Sequence, residues 1–169
     1  MAESVLSFDL QEKLKTLCFK DVSQYSLFGQ KYIGKVVDVY DGDTCKIILL
    51  QDGKFVRYTC RLLGIDTPEM KSKTDNAYKA RNRLIQLATN VAIELDNKGS
   101  HPATTRLVQS NSKLVLVSCF EFDKYGRLLV KLYECDDNDC VKDYNSILVA
   151  EKLAKSYDGG HKEGFDVNS

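Results

Sequence analysis

Tryptophan is absent from this 169-residue chain, proline occurs only twice, and 24 Lys and Arg balance 24 Asp and Glu, leaving no net charge. Each shortage excludes something. So little proline rules out collagen-like and proline-rich linker sequences. The longest apolar runs are as short as Leu114 to Val117, whereas a helix crossing a bilayer needs about 20 such residues. A transmembrane segment, and with it a membrane partner, is therefore not expected. Glu3, Asp9, Glu12 and Lys13 interrupt the N-terminus, so no secretory signal is expected and the cytoplasm is the expected location. With 43% hydrophobic and 28% charged residues, the chain has enough apolar content to fold and reads as one main domain with one core.

A zero net charge argues against a polyanion ligand only if the charge is evenly spread, and it is not. Residues 54–131 carry 14 Lys and Arg against 7 Asp and Glu, while residues 132–169 carry 4 against 9. A basic centre beside an acidic C-terminal third fits a localised anion site, and it equally fits solvated faces that happen to cluster. Six cysteines without a CxxC and without a signal sequence read as reduced thiols. Cys45, Cys60 and Cys119 sit among strand-like apolar residues and are expected in the core. Cys135 and Cys140 flank an acidic turn, but with His101 or His161 they match no structural zinc spacing.

Periodicity divides the chain. Leu10, Leu14 and Leu17 recur at helical spacing, and Asp9 with Glu12 resembles a capping box, so residues 1–30 read as an appendage whose short helix packs on the body. From Ile33 to Val39, Thr44 to Leu50 and Lys54 to Leu63 the pattern is that of strands, separated by the turn dipeptides Asp41-Gly42 and Asp52-Gly53. After Pro68 a helix is expected, with Ala77, Ala80, Leu84, Leu87 and Val91 on its apolar face and Lys79, Asn82, Arg83 and Gln86 on its polar one. Residues 96–112 read as a long excursion with at most a helical turn near Thr104 to Val108. Strands resume at Lys113 to Phe120 and Leu128 to Tyr133, and a last helix runs from Asp143 to Ser156. Five strands and two helices suggest an OB-like barrel of the α+β type.

The residues that can do chemistry gather at the strand ends. A turn explains Asp41 and Gly42 but does not require Asp43. Asp66 ends the third strand, which pairs with the second, so Asp43 and Asp66 approach each other. Two such carboxylates repel unless a cation or proton lies between them, and oxygen-only ligands suit a hard cation, Ca²⁺ or Mg²⁺. Arg61 and Arg127 together can grip one phosphate, because a guanidinium is a rigid donor fork that matches phosphate oxygens. Glu69 can then orient and deprotonate a water for in-line attack on phosphorus.

Three motifs in order, Asp41-Gly42-Asp43-Thr44, Arg61-Leu62-Leu63-Gly64-Ile65-Asp66-Thr67-Pro68-Glu69 and Asp123-Lys124-Tyr125-Gly126-Arg127, resemble staphylococcal nuclease (thermonuclease) and its homologous domains. The likeness runs from about Lys31 to Tyr157. It implies an OB-fold five-stranded β-barrel with flanking helices, Ca²⁺ dependence, and phosphodiester hydrolysis of DNA and RNA, single-stranded or locally open, leaving 3′-phosphate and 5′-hydroxyl ends. Carried over by motif position, Asp43, Asp66 and the backbone carbonyl of Thr67 are the metal ligands, with Asp41 near the metal but not bound to it. Arg61 and Arg127 are the phosphate clamps, and Glu69 is the general base or water-orienting group. Lys124 and Tyr125 match contacts to the terminal phosphate of a nucleotide, and Tyr157 matches a tyrosine that packs on the base.

The resemblance implies a nuclease domain over residues 31–160, interrupted at 96–112, between an appendage at 1–30 and a tail at 161–169. The excursion and Tyr157-Asp158-Gly159-Gly160 are similar to thermonuclease-like proteins encoded by large DNA viruses. The neutral net charge implies a milder salt dependence of binding than a basic nuclease has. A second reading is an OB-fold nucleic-acid-binding or scaffold module without hydrolysis, and a third takes the motifs as turns and surface ion pairs. No motif names a protein partner.

Overall fold

Alternation of apolar and polar residues builds the sheet, and the computed structural model describes it together with the rest of residues 7–135 and 142–159. The strands are β1 (Lys31–Val39), β2 (Thr44–Gln51), β3 (Lys54–Leu62), β4 (Ile65–Asp66), β5 (Leu114–Phe122), β6 (Leu128–Glu134) and β7 (Lys155–Ser156). The α-helices are α1 (Phe8–Thr16), α2 (Asp75–Ala88), α3 (His101–Asn111) and α4 (Tyr144–Ala150). Strands β1-β2-β3-β6-β5 close into a barrel, with β5 returning to β1, and β4 pairs separately with β7. Only β3 and β6 run parallel; the other barrel neighbours are antiparallel. The fold is thus α+β, a closed five-stranded mixed barrel with four helices among the described residues.

Every second residue of each barrel strand points inward, which is why Val36, Ile47, Leu49, Val117, Val130 and Leu132 are fully buried. Closure runs through residues 60–62 of β3 and 128–130 of β6, so residues 54–59 of β3 pair with β2 alone. Cys45 and Cys60 face each other across β2 and β3, and with Cys119 they are free buried thiols in this interior, as expected. Burial pushes all three thiols up from their ordinary pKa, Cys119 to about 11, so none is a ready nucleophile. Asp52 (φ 50°) and Gly53 (φ 76°) form the two-residue hairpin between β2 and β3, the paired left-handed geometry that an Asp-Gly dipeptide accepts at low cost.

The helices depart from expectation in four places. Helix α1 forms, but Ser7 rather than Asp9 caps it, and it buries no residue: Leu10, Leu14 and Leu17 stay exposed, so it does not pack on the body. Attachment begins later. Leu27 is buried in the core, Ser26 donates to Glu121, and Gly29 and Gln30 exchange backbone bonds with Cys119.

Helix α2 ends at Ala88, before Val91, and its expected polar face is partly interior. Asn82 is fully buried and Arg81 nearly so. The Asn82 amide donates to the carbonyls of Glu94, Leu95 and Asn97 at 2.8–3.2 Å, while Arg81 donates to Asn97 and Gly99 carbonyls and to Asn82 Oδ1. Loop carbonyls supply what water would otherwise supply; each such donor left unpaired would cost about 1–3 kcal/mol.

The excursion contains a helix of 11 residues, not a single turn. Helix α3 has Pro102 in its first turn and buries Thr104 and Val108, one turn apart, against β1. A register shift between Val36 and Asp38 turns the Asp38 carboxylate toward it, where His101 Nε2 and Thr105 Oγ1 each lie 2.7 Å from Oδ1. His101 is thereby engaged by Asp38, and Cys135 is exposed; Cys140 and His161 lie outside the described residues.

Helix α4 stops at Ala150, not Ser156. Lys152 takes a left-handed conformation (φ 60°), Leu153 and Ala154 both donate to Leu148, and the chain then pairs as β7 with β4. That exchange of helix for strand matters for the cleft.

Candidate functional site

The site is assembled where strands end. Asp41 and Asp43 occupy the β1–β2 turn, with the Asp43 N–H donating to Asp41 Oδ1 at 3.2 Å. Gly42 holds the place between them for a reason of space. A Cβ there would lie 2.6 Å from Ala80 Cβ on α2 and 2.8 Å from Thr67 Cγ2, so only glycine lets the helix seat beneath the acidic turn. The backbone carbonyl of Asp43 accepts from Leu62, which locks this turn to the end of β3.

Arg61 lies on β3 directly opposite Thr44 and is buried. Its Nη2 donates to Asp66 Oδ1 at 2.9 Å, and its Nη1 donates to the Ile65 carbonyl at 2.9 Å and stands 3.4 Å from Asp43 Oδ2. Asp43 Oδ2 also accepts the Thr67 N–H at 2.9 Å, and its Oδ1 accepts the Thr44 hydroxyl at 3.1 Å. Asp43 and Asp66 thus flank one buried guanidinium, and Asp41, also buried, adjoins Asp43. Burial, reinforced by the neighbouring Asp43 charge, pushes the Asp41 carboxyl up to about 7. Beside them Thr67 Oγ1 is buried with no hydrogen-bond partner among the described residues.

The other wall is the β5–β6 hairpin. Asp123 organises it: Oδ1 accepts the backbone N–H groups of Tyr125 and Arg127, both at 2.9 Å, and Oδ2 accepts Arg127 Nε at 2.8 Å. Partial burial raises the Asp123 pKa, but the Arg127 backbone and guanidinium bonds and the Tyr125 N–H outweigh it and hold the carboxyl below its ordinary value. Gly126 (φ 80°) makes the tight turn. The Arg127 Cζ stands 5.5 Å from the centre of the Tyr125 ring, and Lys124 Nζ lies 5.1 Å from it.

Tyr157 enters by a route the sequence pattern does not announce. Pairing of β7 with β4 and the Tyr157 N–H bond to the Gly64 carbonyl, 2.8 Å, carry the ring to 5.7 Å from Arg61 Cζ. Had the last helix run to Ser156, Tyr157 would have no strand to align it. Glu69 follows Pro68 on the connection toward α2; its side chain is 46% exposed, and Oε2 pairs with Lys71 Nζ at 2.8 Å.

All ten residues singled out from the sequence, Asp41, Asp43, Arg61, Asp66, Thr67, Glu69, Lys124, Tyr125, Arg127 and Tyr157, line one cleft of about 940 Å³. Tyr40, Thr44, Lys71, Asp123 and Leu129 line it too and were not foreseen as site residues. Asp123 had a legible signal, since an Asp four residues before Arg across a Tyr-Gly turn is an Asx-turn pattern. Among the described residues no three His, Cys, Asp or Glu side chains meet at metal-binding geometry.

No family model matches the chain. It is similar to an uncharacterized protein of Methanocaldococcus jannaschii, 32% identical over 132 residues that make up 76% of this chain and 60% of that protein. The chain therefore spans about three fifths of the relative's length.

Proposed function

We propose that this protein is a Ca²⁺-dependent nuclease of the staphylococcal nuclease type, with the closed barrel being an OB fold, acting on phosphodiesters of DNA and RNA. The observation that carries this reading is convergence. Residues from three separated motifs, each weak alone, share one cleft with Arg61 and Arg127 on different walls.

A hard cation fits the donor set. Asp43 and Asp66 with the Thr67 carbonyl are oxygen donors only, the buried carboxylates outnumber the guanidinium among them, and the orphaned Thr67 Oγ1 marks a polar gap beside them. This ligand set contains only two acidic residues, so it does not require a group of three, and none is found among the described residues. When bound, Ca²⁺ neutralises phosphate charge and makes water more acidic.

The chain's own residues do the rest. Arg127, hinged on Asp123, and Arg61, braced by Asp66, offer guanidinium donors to opposite sides of one phosphate and stabilise the charge that builds on it. Glu69, the most exposed of the acidic residues proposed for the reaction, takes the proton as water oxygen bonds to phosphorus and the bond to the 5′ oxygen breaks. That oxygen leaves and is protonated, so the products are a 3′-phosphate and a 5′-hydroxyl. Lys124 and Tyr125 hold the terminal phosphate, Tyr157 packs on the base, and Asp41 orients the Asp43 loop.

The test is cleavage of single-stranded DNA, double-stranded DNA and RNA with Ca²⁺, Mg²⁺ or chelator, run beside Glu69→Gln. Ca²⁺-dependent cutting that falls roughly 10²–10⁴-fold in the variant, with nucleotide binding retained, is expected. Binding without cutting under every condition would replace the nuclease by a non-catalytic OB-fold module.

A further inference from the structure

The outside of the barrel carries a pattern that the cleft does not use. Strand pairing sets Phe55 opposite Leu50 and Ile33 opposite Leu116, and the pairing of Gly34 with Leu49 brings Ile33 alongside Leu50. Side chains alternate along strands, so these four point outward while their neighbours Leu49 and Val117 fill the interior. An apolar row thus crosses four strands. Phe55 is 81% exposed, Leu50 54% and Ile33 49%, and Leu114, one step away on β5, is 62% exposed.

Cations frame this row. Lys35 and Arg57 flank Ile48 on one side, and Lys31 and Lys131 flank Ser118 on the other. None of the four makes an ion pair within the described residues. No acidic residue pairs within these rows; Asp52, in the turn after β2, adjoins Lys31 in the β1–β2 register.

The chemistry selects the occupant. A second copy on the same face would set like cations against each other. A strand partner would find a backbone edge only at residues 54–59 of β3, which pair with β2 alone, and backbone pairing there would leave Lys31, Lys35 and Lys131 unmatched. A nucleic acid also satisfies the cations, but only Phe55 in this row offers its bases a stacking plane, and Leu50, Ile33 and Leu114 offer none. An anionic lipid surface satisfies both parts: apolar side chains enter between headgroups while Lys and Arg stems reach up to the phosphates. Helix α1 adds exposed Leu10 and Leu14 beside Lys13 and Lys15, but Asp9 and Glu12 balance its charge and Glu12 pairs with Lys15.

We propose that the Phe55–Leu50–Ile33 face of the barrel docks on an anionic membrane surface, with Lys35 and Arg57 contacting the lipid headgroups. No helix among the described residues is long and apolar enough to cross a membrane, and peripheral docking needs none. The Leu50–Phe55 pair lies toward the Asp52-Gly53 end of β2 and β3, six residues from the Thr44–Arg61 pair, or roughly 20 Å along the strands, and the Ile48–Arg57 pair lies four residues from it. Docking therefore leaves the cleft open to solvent, and it does not depend on what the cleft does.

Cosedimentation of the full chain with vesicles of phosphatidylcholine, with or without phosphatidylserine, tests this directly. Binding to the phosphatidylserine vesicles alone is expected, and Lys35→Gln with Arg57→Gln should lower partitioning about 25-fold, from two lost cations. Leu50→Ser with Phe55→Ser should also weaken it while the thermal melt followed by circular dichroism keeps one cooperative transition; if that variant unfolds, the charge variant decides alone. Equal binding to both vesicle types, or wild-type binding by the charge variant, overturns the proposal. So does loss confined to Leu10→Ser with Leu14→Ser, or a charge variant that loses a DNA oligonucleotide but keeps vesicles.

Discussion

Arg61 and Asp66 are joined by a 2.9 Å bond from Nη2 to Oδ1, buried at the mouth of the barrel. Because Nη1 also stands 3.4 Å from Asp43, one guanidinium holds two strand ends together. Removing one partner of a buried pair leaves the other charge unpaired, typically at a cost of about 3–5 kcal/mol. Arg61→Ala should therefore lose both activity and stability, with the denaturation midpoint in chelator well below that of the wild type. A midpoint within error of wild type would show that Asp43 and Asp66 do not rely on Arg61.

Arg127 separates chemistry from folding more cleanly. Its side chain is 28% exposed and its bonds are to Asp123 within the same hairpin. Under the proposed mechanism, Arg127→Ala lowers kcat by roughly 10²–10³-fold through lost charge stabilisation, with the melting temperature close to wild type. Arg127→Lys should not restore the rate, because an ammonium lacks the planar fork. Rescue by Lys would mean that simple charge suffices there.

Asp41 gives a pH signature in the chelated protein. The folded carboxyl titrates near 7 because burial and then Asp43 oppose its charge, while an unfolded Asp titrates near 3.9. Between those values the native state holds a proton that the unfolded chain has released, so stability falls as pH rises from about 4 to 7, by on the order of a few kcal/mol. Denaturation in chelator across that window should show the fall, and Asp41→Asn should flatten it. A cation bound beside Asp41 and Asp43 should flatten it as well, so Ca²⁺ that leaves the slope unchanged argues against the proposed ligand set.

Gly42 tests the seat of α2. Adding one methyl group brings Cβ to 2.6 Å from Ala80 Cβ, closer than carbon atoms tolerate. Gly42→Ala should cost about 1–3 kcal/mol as the acidic turn or the helix shifts, measurable by urea denaturation. The paired change Ala80→Gly should recover part of the loss, since it removes the methyl group that the new Cβ meets. No recovery would place the strain at Thr67 instead.

Much of this fold was legible because it rests on local rules. Period-two alternation announced the five barrel strands, the Asp52-Gly53 dipeptide announced its hairpin, and the ordered polar motifs named the residues that line the cleft. What the pattern missed depends on partners remote in sequence. Asn82 reads as solvent-facing until the carbonyls of residues 94–97 arrive to accept its amide protons. Helix α3 has β-branched residues that lower its intrinsic propensity, and it persists on β1 through Val108 and the Asp38 bonds.

The sequence by itself determined the strand pattern, the turn chemistry and the identity of the acidic and basic side chains, since these follow from residue type and spacing. Only the tertiary structure decided that the chain after Ala150 leaves the helix to pair with Ile65-Asp66, which sets Tyr157 over Arg61. It likewise decided that α1 keeps its leucines in solvent. Helical periodicity shows that a face is apolar; what covers that face depends on the distant surfaces the fold brings to it, and for α1 the barrel brings none.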